Sequence, residues 1–235
     1  MTRLRAAVLA SGGGSNLQAL LDHLAVLGDT RALDVVLVAS DRAQAGALER
    51  AQRAGITTAL VQSRSRPQAT ALEHLLESHE VEYVVLAGYL RLVPAPVTQR
   101  FAWRMINVHP GPLPRFGGPG MYGAHVHRAV LAAGADRTGP TVHLVDEVYD
   151  HGAQLAHWPV PVIPGDDEQR LAARVLRAEH LLFPRMVNDW AEAIPQLRDR
   201  DSTTLDVSSP QTLPLFDPEL DDATLAARLD TALAG

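Results

Sequence analysis

The chain has 235 residues, 46 % of them apolar, and a formal net charge of −6, a length that suits one substantial domain or one domain plus an extension. It contains no cysteine, which excludes disulfides, zinc–thiolate sites and a thiol nucleophile. All 21 basic residues are arginine, which excludes Schiff-base chemistry and a Walker-type phosphate lysine.

In chain order, the first half alternates apolar runs with helical patterns. Residues 6–11 predict a buried strand and 15–27 a helix. A strand follows at 33–40 with a helix at 44–54, then a strand at 57–61 with a helix over 67–79. A fourth strand at 83–88 leads to a short helix at 96–102 and a fifth strand at 104–108. Continuous apolar strands separated by amphipathic helices indicate an α/β fold with a mainly parallel sheet.

The second half changes character. Residues 138–145 and 154–162 predict strands joined by a polar connection with no long helix between them, so antiparallel pairing is expected. Asp166-Asp167 then caps a helix that runs to about residue 190. Residues 197–216 predict a linker or surface strap. A last helix is expected over 218–233, with Asp217 as N-cap and Pro218 at its first position. The chain thus divides into a body, 1–196, and an extension, 197–235.

Charge is unevenly placed. Residues 199–235 hold eight acids against Arg200 and Arg228, leaving 19 acids and 19 arginines in the body. A neutral body and an acidic tail argue against nucleic acid as a partner. No apolar run approaches the roughly 18 residues of a membrane span, and the N-terminus has no signal-peptide pattern. The expectation is a cytoplasmic protein without a membrane partner, monomeric or homodimeric.

Three segments carry candidate chemistry. Ser11–Asn16 (SGGGSN) lies between the first strand and first helix, where exposed backbone N–H groups and the helix N-terminus suit a phosphate. The dinucleotide fingerprint fails there, because Leu17 stands where its third glycine belongs. Residues 105–114 (MINVHPGPLP) place Asn107 and His109 two apart at a strand end, so both project to one face. That pair can polarise a carbonyl and move a proton. A carboxylate partner is expected from Asp146, Glu147 or Asp150, among which spacing does not choose. His125-x-His127 diverges by about 200° on a helix, so no metal site is assigned. Residues 86–94 (LAGYLRLVP) offer backbone groups and an apolar wall to a flat heterocycle.

Taken together, SGGGSN, LAGYLRLV at 86–93, INVHPGPLP at 106–114, HVHRAVL at 125–131, TGPTVHLVDEVYDHG at 138–152 and RAEH at 177–180 resemble the folate-dependent glycinamide ribonucleotide formyltransferase family. The likeness covers about residues 5–195. It implies a three-layer fold with about seven mainly parallel strands and an antiparallel C-terminal portion. It implies formyl transfer from 10-formyltetrahydrofolate, as co-substrate, to the amine of glycinamide ribonucleotide in purine biosynthesis, with no metal. It implies Asn107, His109 and Asp150 as the catalytic trio. It implies Gly13, Gly14, Ser15 and Asn16 as the phosphate loop and Glu179 as the carboxylate for the ribose hydroxyls. Leu90, Arg91, Leu92, Val145, Asp146 and Asn107 would line the folate pocket.

Two departures stand out. Leu176 is apolar where members of the family often place a polar or basic phosphate contact, and Arg177 or the Arg64/Arg66 pair is the candidate substitute. The 115–124 loop is longer than in the shortest members. A formyltetrahydrofolate hydrolase usually carries a regulatory domain before the first strand, and a methionyl-tRNA formyltransferase carries a tRNA-binding domain after the body, where this chain has a short acidic tail. The remaining alternatives are a sugar-nucleotide N-formyltransferase and a catalytically silent folate- or nucleotide-binding protein.

Overall fold

The computed structural model describes residues 2–61, 68–198 and 211–234. In chain order its strands are β1 (Leu4–Leu9), β2 (Leu33–Ser40), β3 (Thr57–Leu60), β4 (Tyr83–Leu86), β5 (Met105–His109), β6 (Arg137–Thr138), β7 (Thr141–Leu144), β8 (Gln154–His157), β9 (Val160–Pro161) and β10 (Gln211–Thr212). The helices are α1 (Ser15–Leu27), α2 (Gly46–Arg53), α3 (Gln68–Ser78), α4 (Ala95–Arg100), α5 (Ala124–Ala132), α6 (Glu168–Arg198) and α7 (Asp222–Leu233).

The main sheet has the order β10-β8-β7-β5-β4-β1-β2-β3, and β6 and β9 form a separate two-stranded ribbon. Strands β3, β2, β1, β4 and β5 run parallel, whereas β7 is antiparallel to β5 and β8 to β7. The expected α/β class and the switch to antiparallel pairing are therefore present. Seven strands form the body of this sheet and β10 extends its edge.

Alternating side chains of the central strands build two apolar layers. Ala6 and Val8 of β1 face Leu17, Leu20, Leu182 and Phe183 on the α1–α6 side. Ala7 and Leu9 face Leu72, Leu76 and Val97 on the α3–α4 side. A sheet covered on both faces explains why its strands read as unbroken apolar runs.

Several expected boundaries shift. The 138–145 segment divides into β6 and β7 because a Cβ at Gly139 (φ +128°) would meet the Trp158 carbonyl at 2.0 Å, and Pro140 has no N–H for a ladder. The 154–162 segment divides similarly at Pro159. Helix α6 continues past residue 190 because Val187, Ala191 and Ile194 keep an inward apolar face. The last helix starts later than expected. Asp217 accepts the Glu219 backbone N–H in an isolated turn, while Asp221 caps α7 by accepting the Thr224 N–H at 2.7 Å.

The acidic tail docks on its own body. Leu213, Phe216, Leu225 and Leu229 are buried in the same layer as α6. Phe216 meets Trp158 edge to face at 5.2 Å, and Trp158 Nε1 donates to the Pro214 carbonyl. Asp222 and Asp230 pair with Arg177 and Arg185 of α6.

Candidate active site

Parallel strands β1, β4 and β5 bring their carboxyl ends to one rim, the position at which open α/β sheets hold ligands. After β1 the chain turns through Gly12–Gly14 into α1. Gly14 has φ +75°, and a Cβ there would lie 2.6 Å from Ala47 Cα. Only glycine combines that left-handed turn with such close contact. Gly14 occupies the N-cap, and no side chain caps α1. Arg50 of α2 braces the loop by donating from Nε to the Gly13 carbonyl at 2.8 Å.

On α1, Asn16 Nδ2 donates to Glu179 Oε2 of α6 at 2.7 Å, while Asn16 Oδ1 is buried without a partner. Glu179 is itself buried, which disfavours its charge and pushes its pKa up to about 7; the Asn16 hydrogen bond only partly opposes this.

At the end of β5, three prolines between residues 110 and 114 stop the ladder, and Asn107 and His109 share one face as expected. They pair across to His143 and Thr141 of β7. The His143 Nδ1–H donates to the Leu144 carbonyl at 2.7 Å, so its Nε2 accepts from Asn107 Nδ2 at 3.0 Å. This fixes the amide and leaves its second N–H free of that bond.

His109 is buried. Its Nε2–H donates to the Phe116 carbonyl at 2.7 Å, and its Nδ1 lies 3.4 Å from Asp150 Oδ2. Asp150 Oδ1 is 3.7 Å from His143 Nε2, and Oδ2 also accepts the Gly118 N–H at 2.9 Å. Hydrogen bonds and the neighbouring imidazoles hold Asp150 below the usual carboxylate range despite burial. Burial lowers the His109 pKa below 6.5, and the opposing pull of Asp150 and the Phe116 carbonyl is smaller. Desolvation thus outweighs the pull of the adjacent carboxylate toward the imidazolium.

The tertiary structure separates the three carboxylates that spacing left equivalent. Asp146 pairs with His151 Nδ1 at 2.7 Å and accepts the Val148 N–H, and Glu147 accepts from Gln99 Nε2 at 2.5 Å, both at the surface. Only Asp150 reaches His109. It does so from a left-handed backbone (φ +53°), and a Cβ on neighbouring Gly152 would meet the Leu144 carbonyl at 1.9 Å.

One cavity of about 470 Å³ is lined by Asn16 and Glu179 together with Asn107, His109, Leu90 and His127. The other sequence-predicted folate residues are distributed differently. Val145 and Asp146 line a second cavity of about 350 Å³ with Thr98, Trp103 and Gly152. Leu92 is 41 % exposed. Arg91 Nε donates to Asp41 Oδ2 at 3.0 Å, and Asp41 also accepts from Ser11 Oγ, whose oxygen takes the Leu90 N–H. This network ties the 88–92 loop to the glycine loop.

Arg177 does not fill the gap at Leu176. Its guanidinium is spent on Asp222 and on the Pro218 and Leu220 carbonyls of the tail. Arg64 and Arg66 lie outside the described residues.

Several supports escaped sequence reasoning. His143 could have been found only from the β5–β7 register. The long 115–124 loop carries two of them, the Phe116 carbonyl and the Gly118 N–H, and no side-chain signal marks a backbone contact. Asp41 and His127 needed the tertiary neighbours. His127 lies on the inner face of α5 while His125 is exposed, as their angular divergence requires. Among the described residues there is no group of three or more ligand side chains suited to a metal ion, and no helix is long and apolar enough to cross a membrane.

Comparison with known proteins gives a consistent picture. Residues 4–187 match the model of the formyl transferase family. A chloroplastic phosphoribosylglycinamide formyltransferase of Vigna unguiculata is 40 % identical over 194 residues, which are 81 % of this chain and 62 % of that protein. The phosphoribosylglycinamide formyltransferase of Escherichia coli is 35 % identical over 192 residues, 79 % of this chain and 86 % of that one. A crystal structure of glycinamide ribonucleotide transformylase 1 from Symbiobacterium toebii aligns with a TM-score of 0.74 at 37 % identity, covering 81 % of this chain and 89 % of that chain. The present chain thus spans about three fifths of the length of the plant relative.

Proposed function

The chain belongs to the formyl transferase family, and from that premise we propose that it transfers a formyl group from 10-formyltetrahydrofolate to the glycyl amine of glycinamide ribonucleotide, the reaction named for its relatives. One observation carries this reading. A single cavity joins a polyol-binding end, Asn16 and Glu179, to a carbonyl-polarising end, Asn107 and His109. A substrate spanning both ends would bring its amine to the strand terminus while its sugar hydroxyls meet Asn16 Oδ1 and Glu179. Its phosphate would take the Gly13–Asn16 loop, where backbone N–H groups and the α1 N-terminus supply the positive potential. The pterin of the folate would enter past Leu90, with Arg91, Leu92, Val145 and Asp146 along its path.

The chemistry follows from the trio. Attack of the neutral amine forms a C–N bond to the formyl carbon and turns its carbonyl into an oxyanion. The free N–H of Asn107 donates to that oxygen. Removing one such donor typically lowers the rate about 10²–10³-fold. His109, neutral at rest with its Nδ1 lone pair toward Asp150, takes the amine's proton directly or through water. Its cation is then held between the Asp150 carboxylate and the Phe116 carbonyl. Returned to the folate nitrogen, the proton completes the break of the second C–N bond. Folate supplies the one-carbon unit, and the protein supplies orientation and charge. We place this activity in the cytoplasm, with residues 1–196 as the catalytic domain and 197–235 as an appended brace.

The test measures formyl transfer by the purified chain to glycinamide ribonucleotide, to a nucleotide-linked amino sugar, and to water. Formylated glycinamide ribonucleotide is the expected product. Transfer to the amino sugar alone, or release of formate alone, overturns the assignment.

A further inference from the structure

A third imidazole belongs to the cavity and has no part in the chemistry above. His127 is 4 % exposed, its Nδ1 is buried without a hydrogen-bond partner, and its ring forms part of the wall shared by Asn107 and His109. Buried polar atoms are nearly always satisfied, so an unpartnered nitrogen in a ring that lines a cavity points to a ligand. It stands on the inner face of α5 with Val126 and Val130, so packing sets its direction. His109, set between the Phe116 carbonyl and Asp150, is already assigned the proton released on attack, so the first proton calls for a second acceptor.

The substrate amine presents a requirement that this residue meets. An α-amino group has a pKa near 8, so at neutral pH most of it arrives as the ammonium ion, which has no lone pair for attack. We propose that His127 receives the substrate ammonium's proton as the amine enters the cavity, leaving His109 and Asp150 to handle the second proton, released on attack. The inference rests on the glycinamide ribonucleotide reading. The balance is simple: the ammonium N–H bond breaks, its pair stays on nitrogen, and the proton forms an imidazolium on His127 that later releases it to solvent. No oxidant or further reactant is needed.

The surroundings favour a neutral resting ring. His109 faces it from β5, and Glu168 faces it from the first turn of α6, where Arg128 of α5 holds that carboxylate. His125 stands on its own helix but points outward, and Glu179 lines the far side of the cavity. Burial and His109 keep His127 below 6.5, and Glu168 pulls weakly the other way.

The experiment compares wild type with His127→Gln and His127→Asn across about pH 6 to 9. It measures kcat/KM for glycinamide ribonucleotide, dissociation constants for folate, and melting temperature. At about pH 7 a loss of up to roughly tenfold is expected, because about a tenth of an amine of pKa near 8 is free there without help. It should shrink to within about twofold near pH 9, where solvent supplies the free amine, and folate affinity should not change. A structural role would instead lower the rate equally at every pH. Should both variants misfold, 15N-histidine spectra of the wild type serve the same end. The His127 resonance should move toward the imidazolium position when glycinamide ribonucleotide binds. A loss independent of pH, a loss below about threefold at pH 7, or a His127 resonance unmoved by substrate overturns the inference. If wild type itself does not formylate glycinamide ribonucleotide, it is the assigned function that falls.

Discussion

Replacing Glu179 by Gln should stabilise the protein in alkaline solution and leave it unchanged in acid. The carboxyl is buried with one hydrogen bond, from Asn16 at 2.7 Å, and its pKa is raised from 4.5 to about 7. A folded-state pKa above the unfolded value means that the folded protein holds the proton more tightly. The neutral carboxyl is therefore fully tolerated below about pH 4.5, and stability is lost progressively as pH rises from there through about 7, above which the loss levels off. A shift of about 2.5 units corresponds to about 3 kcal/mol at most, reached well above pH 7. Gln keeps an oxygen for the Asn16 donor and never ionises. Urea unfolding at about pH 4 and about pH 8.5 should therefore give nearly equal stabilities for wild type and variant at the lower pH. At the higher pH the variant should lead by about 1–3 kcal/mol. Substrate affinity should fall in the same variant, because a carboxylate accepts hydroxyl donors more strongly than an amide. Equal stability differences at both pH values would refute the reasoning, since the effect would then come from packing and not from ionisation.

The trio makes further predictions. Asn107→Ala should lower kcat about 10²–10³-fold with small changes in KM, checked by steady-state kinetics with both substrates. Asp150→Asn removes the charge that raises the His109 pKa. The acid limb of its pH–rate profile should thus move to lower pH as kcat falls; an unmoved or upward-shifted limb would contradict the pairing. Gly152→Ala should disable catalysis while the fold survives, because the new Cβ displaces the 144–150 loop from the Leu144 carbonyl. Retained turnover with normal circular dichroism would show that Asp150 does not depend on this turn. In the tail, Phe216→Ala should cost about 3–5 kcal/mol by emptying a buried aromatic site. A double-mutant cycle on Arg177 and Asp222 should give no more than about 1 kcal/mol, since Asp222 is largely exposed. Chemical denaturation ranks the two.

The parallel half of the sheet was legible because strands buried on both faces must be apolar throughout, and their helices must be amphipathic. The pairing of Asn107 with His109 followed from the two-residue period of a strand, which needs no tertiary information. The glycine loop was legible because a left-handed turn against Ala47 admits only glycine. Where strands and caps competed locally, reading failed: Gly139 and Pro159 divided segments that look continuous, and Asp217 looked as good a cap as Asp221.

What the chain alone determined, then, was the class of fold and the shared face of Asn107 and His109, because both arise from periodicity within a single element. The third member of the site depended on the folded chain. Asp146, Glu147 and Asp150 are chemically equivalent along the sequence, and only the turn at Gly152, the 115–124 loop and the β5–β7 register bring Asp150 to His109. The direction of the imidazole's pKa was decided there too, since burial is a property of the whole fold and here outweighs the adjacent carboxylate.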